Sequence, residues 1–276
     1  MTSTTDLTPL LKRLKLGTLL PTLPERLALA RRDQLDYAAF LEVLLADEVN
    51  RRDQGRLERQ VLLAGFEEVC RLEDFDWTAG VTLDRRLLDA AFSLDFLRRH
   101  EHVLLVGPVG VGKTFLAQAL GYAALRAGSS VRFTRADKLF VTLAQARVDH
   151  TLEKVFRSLL APDLLILDDL GLHRMTPQQS TDLYEIIISR HRRASFVITS
   201  NRSVDEWLGL FDDPILGNSA LDRLANASYQ IVVEGSSYRE RLSPHRRTTR
   251  PQDPGATAPP STAPGTGRRH GRTPVA

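Results

Sequence analysis

The stretch Gly107-Pro108-Val109-Gly110-Val111-Gly112-Lys113-Thr114 directly follows the apolar run Val103–Val106. It fulfils the pattern GxxxxGK[ST] at every fixed position, between a predicted strand and a predicted helix. Its glycines let the chain wrap so that successive backbone N–H groups point at phosphate oxygens. In such a loop the lysine reaches the β- and γ-phosphates, and the hydroxyl of Thr114 binds Mg²⁺. Residues 107–114 are therefore predicted to bind the phosphates of a nucleotide, and not merely to link a strand to a helix.

A second motif, Leu164-Leu165-Ile166-Leu167-Asp168-Asp169, runs from four apolar residues straight into two acids. This pattern is typical of a buried parallel strand whose carboxyl end emerges where ligands bind in open α/β sheets. Downstream of a phosphate loop, Asp168 is predicted to hold Mg²⁺ and Asp169 to polarise the attacking water. The alternative for both residues is an acidic turn that ends a strand. Because Asp169 is shorter than a glutamate, it would also orient that water less well.

A third polar residue follows the apolar run Phe196–Thr199 two positions later, at Asn201. If that run forms a strand between the two strands already named, the amide of Asn201 would lie beside the γ-phosphate and position the attacking water. The alternative is an asparagine that is favoured because a turn follows.

The chain from His102 onward alternates between short apolar runs and amphipathic stretches such as Lys113–Ala127 and Thr176–Arg190. Strands that are buried on both faces and alternate with helices predict an α/β fold with a parallel sheet flanked by helices. The five predicted strands are Val103–Val106, Val131–Thr134, Leu164–Leu167, Phe196–Thr199 and Gln230–Val233.

The two ends of the chain differ from this middle part. Residues 1–75 show helical spacing, first in Leu7, Leu10, Leu11 and Leu14 and then in Tyr37, Phe40, Leu41, Leu44 and Leu45. Residues 243–276 are rich in Pro, Thr and Arg and are predicted to be disordered. We therefore expect a helical N-terminal domain at 1–75, an α/β nucleotide-binding domain at 76–242 and a tail at 243–276.

Charge and composition narrow the class of protein. The 276 residues carry a net charge of +3, but the tail holds six arginines against one aspartate, so residues 1–242 carry 31 basic and 33 acidic side chains. The basic character thus belongs to the tail. No apolar run approaches the roughly 18 residues of a membrane helix, and the first 20 residues lack a signal-peptide apolar region. The single cysteine, Cys70, suits the reducing cytoplasm.

The order of these motifs, followed by Ala220–Leu224 and by Ser237-Tyr238-Arg239, resembles the AAA+ ATPases of the initiator and helicase-loader group. Within that group the chain is most similar to the IstB-like ATP-binding proteins, which help insertion-sequence transposases and are similar to the helicase loader DnaC. The resemblance covers about residues 7–242.

This resemblance implies roles for two more residues. Arg223 matches the position of an arginine finger that reaches the ATP site of a neighbouring subunit, and Arg239 matches a phosphate sensor within its own subunit. A finger acting between subunits requires a homo-oligomer with ATP at the interfaces. The alternatives are a surface arginine paired with an acid for Arg223 and a structural arginine for Arg239. The family often has glutamate where this chain has Asp169.

The resemblance implies that residues 76–242 form an AAA+ ATPase domain and that the helical domain at 1–75 binds a partner. The implied partners are double-stranded DNA and the transposase of the same element. The first group of candidate DNA contacts is Arg132, Arg135 and Lys138. The second is the run Arg190–Arg193, for which the alternative is that basic residues at the end of a helix complement its dipole. The arginines at 51–59 are expected to form a solvated face. Two other functions stay open: a replicative helicase loader of the same fold, and a nucleotide-binding module with little turnover. No membrane partner is expected.

Overall fold

A central sheet of five parallel strands has the order β2-β3-β4-β1-β5 in the computed structural model, which describes residues 7–238. The strands are β1 (His102–Val106), β2 (Val131–Arg135), β3 (Leu164–Leu170), β4 (Ser195–Ser200) and β5 (Ser228–Val232). All five strands predicted from sequence are confirmed. The order places β4 between β1 and β3, which is the arrangement that the prediction for Asn201 required.

The apolar runs that predicted the strands reflect where each strand lies in the sheet. Every residue of β1 and β4 is buried, and in β3 only Asp169 is partly exposed. In β1, Val103 and Leu105 face one apolar core while Leu104 and Val106 face another. The edge strands β2 and β5 are only partly buried, so their sequences mix polar and apolar residues.

Ten α-helices surround the sheet or precede it within residues 7–238. They are α1 (Leu7–Arg13), α2 (Leu23–Arg32), α3 (Tyr37–Ala64), α4 (Arg85–Phe92), α5 (Asp95–Arg99), α6 (Lys113–Arg126), α7 (Ala136–Val148), α8 (Leu152–Leu160), α9 (Pro177–Arg190) and α10 (Pro214–Ala225). The start of α9 is fixed by a capping box, in which the hydroxyl of Thr176 accepts from the backbone of Gln179 and the Gln179 side chain accepts in return. None of the helices in this part of the chain is long and apolar enough to cross a membrane.

The N-terminal helices form a small core of their own, built on Leu19, Leu23 and Leu44. The 28-residue helix α3 then extends from that core to the sheet, where Leu57, Val61 and Ala64 join the apolar layer that also contains α6. A single helix thus links the helical segment to the nucleotide-binding part. The division of the chain at residue 75 stays a prediction, and the predicted tail at 243–276 lies outside the described residues.

Part of the arginine run on α3 is structural. Glu48 is 3% exposed and accepts hydrogen bonds from Thr18, Arg51 and Arg52. These contacts, foremost that of Arg51, lower the pKa of Glu48 far below its usual range. Arg51 and Arg52 therefore bind a buried acid, and the predicted solvated face is limited to Arg56 and Arg59, which are exposed. Arg59 also donates to the carbonyl of Gly55.

The structure corrects one predicted DNA contact, Arg190. Its side chain is 1% exposed and lies over the ring of Phe196, with 5.0 Å between the guanidinium carbon and the ring centroid. The guanidinium donates to five backbone carbonyls in the segments around it, and the three shortest bonds, of 2.9, 2.9 and 2.7 Å, go to Leu159, Pro162 and Ser195. Burial lowers the pKa of Arg190 to about 10, so the side chain stays charged at neutral pH. The sequence predicted that the whole basic run Arg190–Arg193 is exposed, because the spacing of the residues does not reveal which side chain points into the core.

We expect Arg190→Met to destabilise the fold by about 3 kcal/mol or more, because it leaves those carbonyls buried without a donor. Urea unfolding of Arg190→Met and of Arg193→Ala, a matched change of an exposed arginine, measures the difference. Arg193→Ala is expected to lie within about 0.5 kcal/mol of the unchanged protein. An Arg190→Met protein as stable as this control would show that the carbonyls find other partners.

Candidate nucleotide-binding site

The loop between β1 and α6 is held against the sheet by its own backbone. The N–H of Gly107 donates to Ser200 of β4, and the N–H of Val233 donates to Val106 of β1. Gly107 adopts φ +149°, and a Cβ at this position would lie 2.0 Å from the carbonyl oxygen of Val233. The first glycine of the motif is thus required by the close approach of the chain after β5.

The opposite end of the loop is closed by an aromatic residue from outside the motif. Gly112 adopts φ +93° at the N-cap of α6, and a Cβ here would lie 2.8 Å from the ring of Phe75. Phe75 contacts Trp77 and Phe115, with ring centroids 4.4 and 5.5 Å apart. This aromatic cluster fixes the point at which the loop turns into the helix. Tyr238 also donates its backbone N–H to the carbonyl of Gly110.

Lys113 and Thr114 lie at the start of α6, as the motif predicts. Lys113 is 6% exposed, and its ammonium donates to the carbonyl of Pro108 at 2.7 Å, across the mouth of the loop. The hydroxyl of Thr114 lies 2.9 and 3.1 Å from the two carboxylate oxygens of Asp168 at the end of β3. The structure therefore brings the two separate sequence motifs together.

Asp168 is the buried acid of this site, at 1% exposure. Burial raises its pKa, and hydrogen bonds from Thr199 and Thr114 oppose that effect. A cation would stabilise the charged carboxylate in this place. Carboxylate and hydroxyl oxygens are ligands that Mg²⁺ accepts, usually together with phosphate oxygens and water. The chemistry of Thr114 and Asp168 thus fits the ion predicted from sequence.

Asp169 has a different environment from its neighbour. It adopts φ +56°, and the pairing of β3 with β4 shifts register between Leu167 and Leu170. This bulge interrupts the regular alternation of side chains, and the Asp169 side chain is 32% exposed. Its backbone N–H donates to the hydroxyl of Thr199 at 2.8 Å, and that hydroxyl donates to Asp168 at 2.6 Å. Thr199 therefore couples both acids.

Arg135, which the sequence placed among the DNA contacts, lies at this site. β2 ends beside β3, with Arg135 opposite Asp168 in the register. Its guanidinium lies 3.5 Å from a carboxylate oxygen of Asp169 and 3.2 Å from one of Asp137. The other two candidate DNA contacts of this group are exposed, Arg132 within β2 and Lys138 within α7.

Asn201 follows β4 at the same edge of the sheet. Ser200 pairs with Val106 of β1 and with Leu170 of β3, so Asn201 begins the turn between the phosphate loop and the acidic strand. Its side chain is exposed. The strand order that the prediction assumed is present, whereas the place of the Asn201 amide beside the γ-phosphate and its action on water stay predictions.

Arg223 lies far from these residues. It belongs to the last turn of α10, and the carbonyl of Ala227 just beyond it accepts from the N–H of His102, the first residue of β1. The phosphate loop begins after the other end of β1, roughly 15 Å away along the strand. The guanidinium donates to the carbonyl and hydroxyl of Ser219 at 2.6 and 2.7 Å. The structure does not bring Arg223 to the site of its own subunit, and Arg239 lies outside the described residues.

Sequence reasoning missed three contributors to the site. Phe75 and the linking role of Thr199 were not predicted, and Arg135 was assigned to another function. A signal for Thr199 was present, since a polar residue ended the apolar run next to the acidic strand. For the other two residues the sequence offers only their position along the chain: Phe75 precedes β1, and Arg135 ends β2.

Comparison with protein families and curated sequences gives consistent matches. The sequence profile described as "IstB-like ATP binding protein" matches residues 9–246. A protein of Mycobacterium tuberculosis named as an ATP-binding protein in an insertion sequence is 41% identical over 240 residues, which cover 87% of this chain and 96% of that protein. The protein named for ATP binding in insertion sequence IS21 of Pseudomonas aeruginosa is 36% identical over 234 residues, 85% and 88% of the two chains.

Solved structures share the fold at low sequence identity. Aquifex aeolicus DnaA bound to AMPPCP aligns with a TM-score of 0.51 and 21% identity over 62% of this chain and 51% of that chain. DnaI aligns with a TM-score of 0.50 and 21% identity over 59% of this chain and 90% of that chain. The predicted fold, an AAA+ α/β fold with a five-stranded parallel sheet, is confirmed.

Proposed function

The chain belongs to the family of IstB-like ATP-binding proteins, and on that premise we propose that it is an ATPase that assists DNA transposition. It would convert ATP and water to ADP and phosphate, assemble on double-stranded DNA in the cytoplasm, and recruit or activate a transposase. The observation that carries the proposal is the chain of contacts from the phosphate loop through Thr114, Asp168 and Thr199 to Asp169.

The phosphate loop supplies binding. Backbone N–H groups of residues 109–114 and the N-terminus of α6 favour the phosphate oxygens, and Lys113 adds a positive charge in a buried position. Thr114 and Asp168 would hold Mg²⁺, which neutralises charge on the phosphates during transfer. These residues are preorganised by their contacts with each other, so binding costs little rearrangement.

Hydrolysis needs a group that orients water, and we assign this role to Asp169. Its carboxylate is partly exposed at the end of β3, next to the buried Asp168. Asn201, at the end of the adjacent strand β4, would position the same water through its amide. Arg135 holds the Asp169 carboxylate by charge at 3.5 Å and is a positioning residue.

The location of Arg223 supports action between subunits. A guanidinium at this end of the sheet lies too far from the phosphate loop to reach the ATP of its own subunit, so we infer that it serves the ATP of a second copy of the chain. Such an arrangement is head-to-tail, and it generates a ring or a filament. Arg132 and Lys138 are exposed and would meet DNA phosphates, a contact that supplies mostly sequence-independent affinity.

The N-terminal helices carry the proposed transposase surface. Tyr37, Leu41 and Leu45 of α3 are 92%, 52% and 47% exposed and recur every four residues, so they form one apolar stripe. Leu10 and Leu14 are 58% and 66% exposed on the preceding segment. A replicative helicase loader would use the same surface for a helicase. Binding of the full chain to purified transposase or to purified replicative helicase separates these two functions.

The decisive experiment measures phosphate release with and without duplex DNA. We expect DNA-stimulated turnover, and we expect Asp169→Asn to reduce it by about 100-fold or more while ATP binding is retained. Glu153→Gln, a matched change of an exposed acid on α8, is expected to leave turnover unchanged. Absence of turnover in the unchanged protein, with nucleotide still bound, would establish the binding-only alternative.

A further inference from the structure

The two acids of β3 stand opposite a single residue of β4. The register of these strands shifts between Leu167 and Leu170. The two residues in between, Asp168 and Asp169, are paired with the one position that Thr199 occupies. Such a bulge inserts an extra residue that has no regular place in the backbone ladder. A buried N–H that loses its ladder partner needs another acceptor. The acids thus depend on a contact that the ladder itself does not supply.

The hydroxyl of Thr199 supplies that contact. Its Oγ1 accepts the N–H of Asp169 at 2.8 Å and donates its own proton to Oδ1 of Asp168 at 2.6 Å. Because a backbone N–H can only donate, it fixes the direction of the hydroxyl, whose proton points to the carboxylate. Thr199 is 0% exposed, so both contacts are shielded from water. One buried side chain therefore holds the backbone of one acid and the carboxylate of the other.

The backbone of Asp169 needs this support. It adopts φ +56°, in the left-handed region that residues other than glycine rarely occupy. Such conformations persist where the surrounding structure determines them. The N–H that Thr199 accepts belongs to the same residue, so the hydroxyl holds the backbone from which the Asp169 carboxylate projects. The direction of that carboxylate therefore depends on Thr199.

The ion pair with Arg135 holds the Asp169 carboxylate less firmly. The charged atoms are 3.5 Å apart, and the two side chains are 29% and 32% exposed. The same guanidinium lies 3.2 Å from Asp137, so it is shared between two acids. Ion pairs in contact with solvent contribute little to holding a side chain in one place. The buried hydrogen bonds of Thr199 are the stronger constraint on Asp169.

We propose that Thr199 is a positioning residue for ATP hydrolysis, whose hydroxyl holds Asp169 in the direction from which its carboxylate orients water. The inference rests on the ATPase function proposed above and adds a residue to it. Asp168 serves as the anchor of the hydroxyl. Thr114 also donates to Asp168, but its oxygen is assigned to Mg²⁺, whereas the hydroxyl of Thr199 serves the two acids alone.

Hydrogen exchange tests the contact in the nucleotide-free protein. Thr199→Val keeps the shape of the side chain and removes the hydroxyl, whereas Thr199→Ser keeps the hydroxyl. We expect the amide of Asp169, followed by NMR, to exchange at least about tenfold faster in Thr199→Val and at the original rate in Thr199→Ser. Equal exchange in these two variants would overturn the proposal.

Ser195→Ala is the matched control for loss of a buried hydroxyl. Ser195 begins the same strand, is 0% exposed and donates to the carbonyl of Phe96, away from the acids. This variant should leave the exchange of the Asp169 amide unchanged. Urea unfolding shows whether each variant folds. If Thr199→Val does not fold, Thr199→Ala replaces it, because the smaller side chain leaves room for a water in place of the hydroxyl.

Turnover tests the consequence for hydrolysis. We expect Thr199→Val to lower kcat by about 10- to 100-fold, because a small misplacement of a catalytic group has an effect of that size. Its affinity for ATP should stay within about threefold, since the phosphate loop and the contact of Thr114 with Asp168 remain. Thr199→Ser and Ser195→Ala should keep full turnover. A Thr199→Val protein that turns over ATP as fast as Ser195→Ala would refute the positioning role.

A double variant tests whether Thr199 acts through Asp169. In Asp169→Asn, the further change Thr199→Val should cost no more than about threefold in kcat, because both changes affect the same water. If the two losses multiplied in full, Thr199 would act independently of Asp169 and the proposal would fail. A protein that binds ATP without turnover would end the hydrolysis proposal alone, and hydrogen exchange at Asp169 would then decide whether Thr199 holds this acid.

Discussion

Lys113→Ala is expected to weaken ATP binding by at least about 100-fold. The ammonium lies 2.7 Å from the carbonyl of Pro108, inside a loop that leaves Lys113 only 6% exposed. A charge-assisted contact with phosphate in such a place contributes about 3 kcal/mol, and each 1.4 kcal/mol changes affinity about tenfold. Titration with a fluorescent ATP analogue measures the affinity of each variant.

Two controls make this result specific. Lys154→Ala changes an exposed lysine on α8 and should bind ATP like the unchanged protein. Urea unfolding of Lys113→Ala tests whether the loop still folds without the contact to Pro108. Binding within about threefold of the unchanged protein, in a folded variant, would show that the backbone of the loop alone holds the nucleotide.

Much of the fold is visible in the sequence because the central strands are buried on both faces. Val103–Val106, Leu164–Leu167 and Phe196–Thr199 are apolar for that reason, and each lies within an observed strand. The edge strand β5 is harder to bound from sequence. It spans Ser228–Val232, so it starts two residues and ends one residue earlier than predicted, because half-buried positions weaken the apolar pattern.

The arrangement around Asp168 was predictable in part. A parallel sheet brings the carboxyl ends of its strands to one edge, so the phosphate loop, the two acids and Asn201 were expected to meet. The bulge at Asp169 and its left-handed backbone were not predictable, because they arise from the pairing of β3 with β4. The ion pair between Arg135 and Asp169 depends on the same pairing and on the register of β2.

The basic residues show the limit of sequence reasoning most clearly. Arg190 and Arg192 are two positions apart, yet one is buried under backbone carbonyls and the other lines an open cleft. Charge and spacing are the same for both residues. Their difference follows from the end of α9, where the chain turns before β4 and the conformation of Arg192 becomes left-handed.

Arg223→Ala is expected to reduce ATP turnover by about 1,000-fold while each subunit still binds ATP. A guanidinium that reaches the γ-phosphate stabilises the charge of the transition state, and its removal costs three to five orders of magnitude in rate. In the free subunit the guanidinium is folded back on Ser219, so the affinity of that subunit for ATP does not depend on it. Turnover measured over a range of protein concentrations is the appropriate assay, since the finger acts only in assembled copies.

Arg126→Ala is the matched control, because Arg126 occupies the last turn of α6 as Arg223 occupies that of α10. Both substitutions remove a cation that complements a helix dipole, an effect of about 0.5 kcal/mol on stability. If Arg223 served only in that way, the two variants would have equal turnover, and the model of a finger acting between subunits would fail. If Arg223 acts on a neighbour, only Arg223→Ala loses turnover, and mixing it with Asp169→Asn subunits restores part of the loss. The location of Arg223 at the far edge of the sheet, roughly 15 Å from its own phosphate loop, makes the second outcome the expected one.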